Sequence, residues 1–260
     1  MRNIIQHFRQ SLSWKLSLGI LLMAIPIFAL ALGILFEQSR NNLKDDATKH
    51  ATSMLSTTMQ HFLRYMDMVQ TATDINAWEV MDNLNPDSIL NISRYVVAFN
   101  GHIDGCSIST EPNVFPKYGR YFSAYTVRAP DTITTVIEKE YEYFDKIWYK
   151  KPRILSKPCW VVYYDESDSL ALTLDGMIAS YSKPLYDDNK NFVAVISTDL
   201  SLLRLSKSIT KETPYEDSYF MMTGEEGRLY LHPDTTRLFT KTIFSDADPE
   251  KNADIFRYFK

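Results

Sequence analysis

Residues 16–36 read LSLGILLMAIPIFALALGILF, 21 positions without one charged side chain. As a helix this run is long enough to cross about 30 Å of hydrocarbon. A cleaved signal peptide is the competing outcome, because Ala29-Leu30-Ala31 follows a basic start and resembles a small-residue cleavage site. The apolar run continues five residues beyond Ala31, which favours an uncleaved anchor. Arg2, Arg9 and Lys15 precede the span and Arg40, Lys44 and Lys49 follow it, so the basic residues orient it weakly. The polar character of everything downstream places the N-terminus inside and the rest of the chain outside. The expected segments are a cytoplasmic N-terminus at 1–12, a transmembrane helix at 13–36 and a stalk helix at 37–75.

The stalk follows from spacing. Leu43, Ala47, Ala51, Met54, Thr58, Phe62, Met66 and Val69 recur at steps of three and four, one face of a helix that continues out of the membrane. This face could pack on its own domain or pair two subunits, and its small residues make it a weak autonomous coiled coil. Asn85-Pro86-Asp87 is an N-cap with proline at the first helical position, opening a second helix through Ile89, Ile92, Val96 and Phe99.

Strand patterns then take over at 102–110, 120–127, 160–164, 177–182 and 192–198, with 186–190 as the hairpin turn between the last two. Residues 199–205 restart a helical pattern. Two helices, five strands and a closing helix predict an α+β domain built on a five-stranded antiparallel sheet, over 76–205. Beyond Lys211 a smaller pattern begins again, with strands at 218–223 and 228–231 around Gly224-Glu225-Glu226-Gly227. Two strands cannot close a core of their own, so 206–260 is expected to lean on the first domain or to be part of a second module.

Charge and motif content narrow the chemistry. The chain carries a formal charge of −4, and because its first 36 residues hold three basic groups and no acid, residues 37–260 carry −7. Such an acidic exterior does not suit nucleic acid. Cys106 and Cys159 are too few for a disulfide framework and are expected as small buried hydrophobes. The five histidines show no metal-ligand spacing, no glycine-rich phosphate loop occurs, and no serine sits in a nucleophile elbow. Neither an enzyme, a metal site nor a bound cofactor is expected.

What is present is an unusual density of aromatic rings and isolated carboxylates between residues 141 and 203. Tyr and Trp carry polar tips that need partners when buried, which suits a small-molecule pocket better than a plain core. Trp148-Tyr149 is the most informative pair, with Tyr141 and Lys146 before it and Trp160, Tyr163, Tyr164 and Asp165 after it. Asp199 directly follows an apolar strand, where its carboxylate is costly to bury without a cationic partner. One positive group, several phenols and a carboxylate suit a zwitterion. Asp187 and Asp188 read as turn residues.

These residues resemble the double Cache sensor domains of bacterial membrane receptors, the kind carried by sensor serine phosphatases and histidine kinases. The resemblance rests on Trp148-Tyr149 with Pro152, on 160–165, on 177–187 and on Ser197-Thr198-Asp199-Leu200-Ser201-Leu202. It implies a PAS-like distal module and the opening of a proximal one. In amino-acid-binding members a Tyr, an Arg, a Trp-Tyr pair, a Tyr with an acid, and a final Asp surround the ligand. These correspond here to Tyr141, Lys146, Trp148 and Tyr149, Tyr164 and Asp165, and Asp199. Lys146 stands where the family has arginine and does not offer the flat two-point grip on a carboxylate.

The expectation is therefore a single-pass sensor of a bacterial inner membrane, dimeric through its stalk, with the sensing part outside. Asp199 would hold a ligand ammonium. Lys146 and the Trp148 indole would hold a carboxylate, the Tyr149 and Tyr164 rings would wall the ligand side chain, and Trp160 and Asp165 complete the expected ligand-binding set. The alternatives are a protein-interaction module of the same fold using Tyr118 and Tyr121, or a truncated receptor without output.

Overall fold

A computed structural model describes residues 12–165, 174, 176–209, 218–238, 240–245, 247, 248, 250, 251 and 257. Helix α1 runs without a break from Leu12–Asp82, 71 residues, and includes both the apolar run and the expected stalk. Residues 1–57 form one compact unit and 58–260 another. In the first unit the apolar side chains from Leu16 to Phe36 are exposed, and the helix has an 18-residue stretch of mean hydropathy 2.7 with none of it buried. Length and hydropathy suffice to cross a membrane.

In the second unit, helix α2 (Pro86–Phe99) starts as its sequence dictates. The Asn85 side chain accepts from Ser88 N at 2.9 Å and Pro86 occupies the first turn. Six strands follow: β1 (Gly105–Thr110), β2 (Ser123–Arg128), β3 (Ile133–Glu138), β4 (Cys159–Asp165), β5 (Gly176–Tyr186) and β6 (Phe192–Ser201). They form one antiparallel sheet in the order β3-β2-β1-β6-β5-β4. The sheet thus has one strand more than the sequence suggested. Strand β3, ITTVIE, is half-buried along most of its length and sits at the sheet edge, so its apolar alternation is faint.

Two further differences concern the site. Residues 147–155, in the stretch between the second and third expected strands where no helix was anticipated, form helix α3 (Ile147–Leu155) with Pro152 inside it. Proline removes one helical hydrogen bond and blurs the pattern. Strand β6 continues through Asp199 to Ser201 before helix α4 (Leu202–Ile209) begins, so Asp199 is a strand residue and not the start of a helix. The segment after 218 contributes strands β7 (Met222–Thr223) and β8 (Leu229–Leu231), paired with each other. Leu231 is buried in the main core and His232 N donates to Ser206 Oγ on α4 at 3.4 Å. That segment therefore leans on the sheet domain.

The two faces of the sheet differ in kind. On one face Cys106, Ile108, Ala124, Ala179, Ala194 and Ile196 pack with Val69, Ala72 and Val80 of α1 and with Ile89, Val96 and Val97 of α2. Strand period two sends the intervening residues to the other face. There Ser107, Ser109, Ser123, Ser180, Ser182 and Ser197 form a buried polar floor. Cross-strand hydroxyl pairs satisfy much of it, with Ser109 and Ser123 at 2.7 Å and Ser182 and Ser197 at 2.8 Å. Both cysteines are free, Cys106 in the core and Cys159 half-buried. Burial pushes the Cys106 thiol well above its usual range.

Candidate functional site

The serine face is roofed by residues 139–155. Tyr143 anchors that roof: its hydroxyl donates to Thr110 O at 2.7 Å and accepts from Phe122 N at 3.2 Å, tying the connection to β1 and β2. Burial pushes its phenol up to about 12. Around it Trp148, Tyr149, Val161 and Val195 make a second, smaller apolar cluster. Helix α3 is short and lacks a side-chain cap, so this cluster rather than intrinsic propensity holds it.

Between roof and floor lies a small cavity of about 20 Å³, lined by Ser107, Ser123, Tyr125, Glu138, Tyr141, Trp148, Tyr163 and Asp199. That volume admits about one water molecule. Asp199 is 2% exposed, and its Oδ1 accepts from Ser180 Oγ at 2.6 Å. Opposite it on β1 stands Gly105, and the absence of a side chain there is what makes room. A Cβ at Gly105 would lie 2.7 Å from Asp199 Oδ2 and 3.3 Å from the Tyr125 hydroxyl. Among the described residues that line the cavity two are acidic and none is basic.

The structure brings together three of the eight residues expected from sequence: Tyr141, Trp148 and Asp199. The others have different places. Tyr149 is buried in the roof, and its hydroxyl donates to Glu111 Oε1 at 2.8 Å; burial, then that hydrogen bond, push its phenol far above the usual range. Lys146 is exposed at the start of α3 with its Nζ 5.6 Å from the centre of the Tyr141 ring, outside the lining. Trp160 lies on the helix-covered face against Tyr181, ring centres 5.4 Å apart, with its buried indole N–H unbonded. Tyr164 is half exposed. Asp165 ends β4, and its side chain lies outside the described part of the structure.

The alternation of β4 explains the exchange. Tyr163, not Tyr164, is the residue of that pair that faces the cavity, and sequence reading of two adjacent tyrosines offers no parity. Glu138 was missed because β3 went unread, and Tyr125, on the strand expected over 120–127, because nothing marked which face of that strand turned inward. Tyr118 and Tyr121, expected as exposed rings of an interaction surface, are half-buried. Tyr118 packs edge-on against Phe122 at 4.9 Å, and Tyr121 donates to Glu142 Oε2 at 2.8 Å while stacking on Phe144.

A wider depression, about 850 Å³, lies elsewhere, along Arg94, Asp104, Arg128 and Arg204. Two of its arginines are committed to the fold. Arg128 donates to the carbonyls of Val97, Asn100 and Ile103, and Arg204 pairs with Asp104 at 2.9 Å and donates to Gly101 O. The depression is the more open of the two, and its buried carboxylate, Asp104, is paired with Arg204, whereas the aromatic cavity is narrower and is lined by Asp199 and Glu138 with no basic residue among its described lining.

Residues 89–207 match the family described as methyl-accepting chemotaxis protein-like, first PDC sensor domain. Solved structures share the fold. Methyl-accepting chemotaxis protein X aligns with a TM-score of 0.65 at 12% identity, over 81% of each chain. The ligand-binding domain of the Campylobacter jejuni chemoreceptor Tlp3, in complex with L-valine, gives 0.57 at 13% identity over 83% of this chain and 82% of that one. The ligand-binding domain of the Pseudomonas aeruginosa PAO1 amino acid chemoreceptor PctB, in complex with L-Gln, gives 0.54 at 13% identity over 77% and 73%. Among curated proteins none matches.

Proposed function

We propose that the chain, whose residues 89–207 match the first PDC sensor domain of methyl-accepting chemotaxis protein-like receptors, is the sensing part of a membrane receptor that binds a small molecule carrying an ammonium group. The observation that carries this reading is Asp199, a buried carboxylate in a small cavity walled by Tyr125, Tyr141, Trp148 and Tyr163. A carboxylate in such a place favours a cation, and aromatic faces add to the attraction.

At about 20 Å³ the cavity is too small for a ligand of amino-acid size. Binding therefore selects a more open state. The sheet floor is cross-linked by hydroxyl pairs and strand hydrogen bonds and Tyr143 ties the roof to it, so opening falls to the roof residues on either side of that anchor that line the cavity, Tyr141 and Trp148. A ligand that prefers the open roof shifts the population, which is all that signalling requires. Apolar helix α1 anchors the chain in the inner membrane with residues beyond about 37 outside, and two copies pair along the stalk. No catalytic step is assigned to these residues.

The test is a thermal-shift screen of amino acids, amines and small carboxylates on the full chain in detergent, followed by calorimetry on Asp199→Asn and Trp148→Ala. A lost charge contact typically costs about 2–5 kcal/mol, so Asp199→Asn should lower affinity at least about 30-fold. Unchanged affinity in both variants would move the binding site elsewhere. A reporter fused at residue 100 should read out on the far side of the membrane, and a cytoplasmic signal there would reverse the topology.

A further inference from the structure

Glu138 is the residue of the cavity for which the reading above has no use. It is 4% exposed, ends the edge strand β3 and lines the same cavity as Asp199. The strand register fixes how the two carboxylates are disposed. Asp199 on β6 stands opposite Gly105 on β1, and Gly105 stands opposite Val127 on β2. Glu138 on β3 stands opposite Ser123, four residues along β2 from Val127.

The two acids thus enter from opposite corners of the floor, three strand positions apart, with Ser107, Ser123 and Tyr125 between them. Strand spacing separates the backbones of β6 and β3 by about 14 Å and the four-residue offset adds about 13 Å along the strands, about 19 Å in all, so that side chains reaching toward each other leave a gap on the order of 10 Å. One ammonium cannot bridge that gap. Nor does the lining hold a cation for a ligand carboxylate, since Lys146 lies outside it, against the outer ring of Tyr141.

We infer that the site selects a dication, an elongated amine with a positive group at each end, with Asp199 taking one and Glu138 the other. The inference rests on the proposed binding role of Asp199 and adds Glu138 as the residue that sets specificity. The aromatic faces of Tyr125, Tyr141, Trp148 and Tyr163 suit the methylene chain between the charges and the ammonium groups at its ends. A zwitterionic amino acid would instead bring its carboxylate toward Glu138, and like charges in a site of this kind repel.

Calorimetry on the full chain in detergent tests this with α,ω-diaminoalkanes of roughly four to six carbons, n-alkylamines of equal length and neutral α-amino acids. The diamine should bind at least about tenfold more tightly than the matching monoamine. Glu138→Gln should cut the diamine advantage, weakening the diamine at least about tenfold more than the monoamine, and Asp199→Asn should weaken both. Equal affinity for diamine and monoamine, a preference for an amino acid, or an equal effect of Glu138→Gln on both amines would overturn the inference while leaving the role of Asp199 intact. Binding that ignores Asp199→Asn, or no binding by any of the three classes, would remove the site reading and the inference together. If Glu138→Gln does not fold, the comparison of diamine with monoamine on the unaltered chain decides the matter.

Discussion

Thr198 on β6 donates its side-chain hydroxyl to that of Thr73 on α1, and Thr73 passes its own proton on to Val69 O at 2.7 Å. Both threonines are fully buried. Thr198 is the immediate neighbour of Asp199, so one strand presents the candidate ligand contact on one face and grips the long helix with the next residue on the other.

Replacing only Thr73 by valine should strand the Thr198 hydroxyl and cost about 1–3 kcal/mol in urea denaturation, while the double replacement Thr73→Val with Thr198→Val should recover most of the loss. The double variant should keep its ligand affinity and lose the ligand-induced change in hydrogen exchange along residues 66–80 of α1. An exchange response like that of the unaltered chain would show that the signal bypasses this pair.

Gly105→Ala places a methyl group 2.7 Å from Asp199 Oδ2. The carboxylate must turn away or the two strands must part, at about 1–3 kcal/mol of overpacking strain. Ligand affinity should fall at least about tenfold, in proportion to about 1.4 kcal/mol or more, without loss of the fold by circular dichroism. Affinity equal to that of the unaltered chain would mean that the position of Asp199 is irrelevant to binding.

The adjacent tyrosines of β4 offer a test that sequence alone sets the other way. Tyr163→Phe, which alters the cavity lining next to Ser180, should change ligand affinity, and Tyr164→Ala should not. The reverse pattern in calorimetry would mean that the ligand sits on the opposite face of the sheet.

Asp104 supplies the pH dependence. Its Oδ2 accepts from Ser201 N at 2.8 Å and its Oδ1 pairs with Arg204 Nε at 2.9 Å, yet burial outweighs both and holds its carboxyl above the ordinary value of 3.8. A carboxyl raised in the folded state contributes stability below its unfolded pKa and loses it as pH rises through the folded one. The stability of the unaltered chain relative to Asp104→Asn should therefore decline from about pH 4 upward and then level. A relative stability that climbs over that interval, in urea melts at stepped pH, would contradict the assignment.

Much of the architecture is legible from residue patterns, because strong signals there agree with the final packing. The apolar run, the Asn85-Pro86 helix start and the 186–190 turn all carry local chemistry, and the turn closes with Asp187 accepting from Asn191 N at 2.7 Å. The site is less legible. Sheet order sets β1 beside β6 and so brings Gly105 to Asp199, a pairing some ninety residues apart that no local pattern encodes. Glu138 lies on an edge strand whose half-buried sequence gives no alternation, and Trp160 and Tyr164 differ from Val161 and Tyr163 by a single step of parity. Aromatic density pointed to the region that holds the cavity; parity and sheet order decide which rings meet there.

The split between an apolar sheet face and a serine-floored one bears on how such a receptor could acquire a new ligand. Residues that determine recognition alternate with those that determine folding, as two interleaved texts on the same strands. Substitutions at 107, 123, 125, 138, 163 and 199 can be drawn as a library while 106, 108, 124, 194 and 196 stay fixed. A biosensor derived from this chain could therefore be re-addressed to other small molecules by rewriting one text and leaving the other untouched.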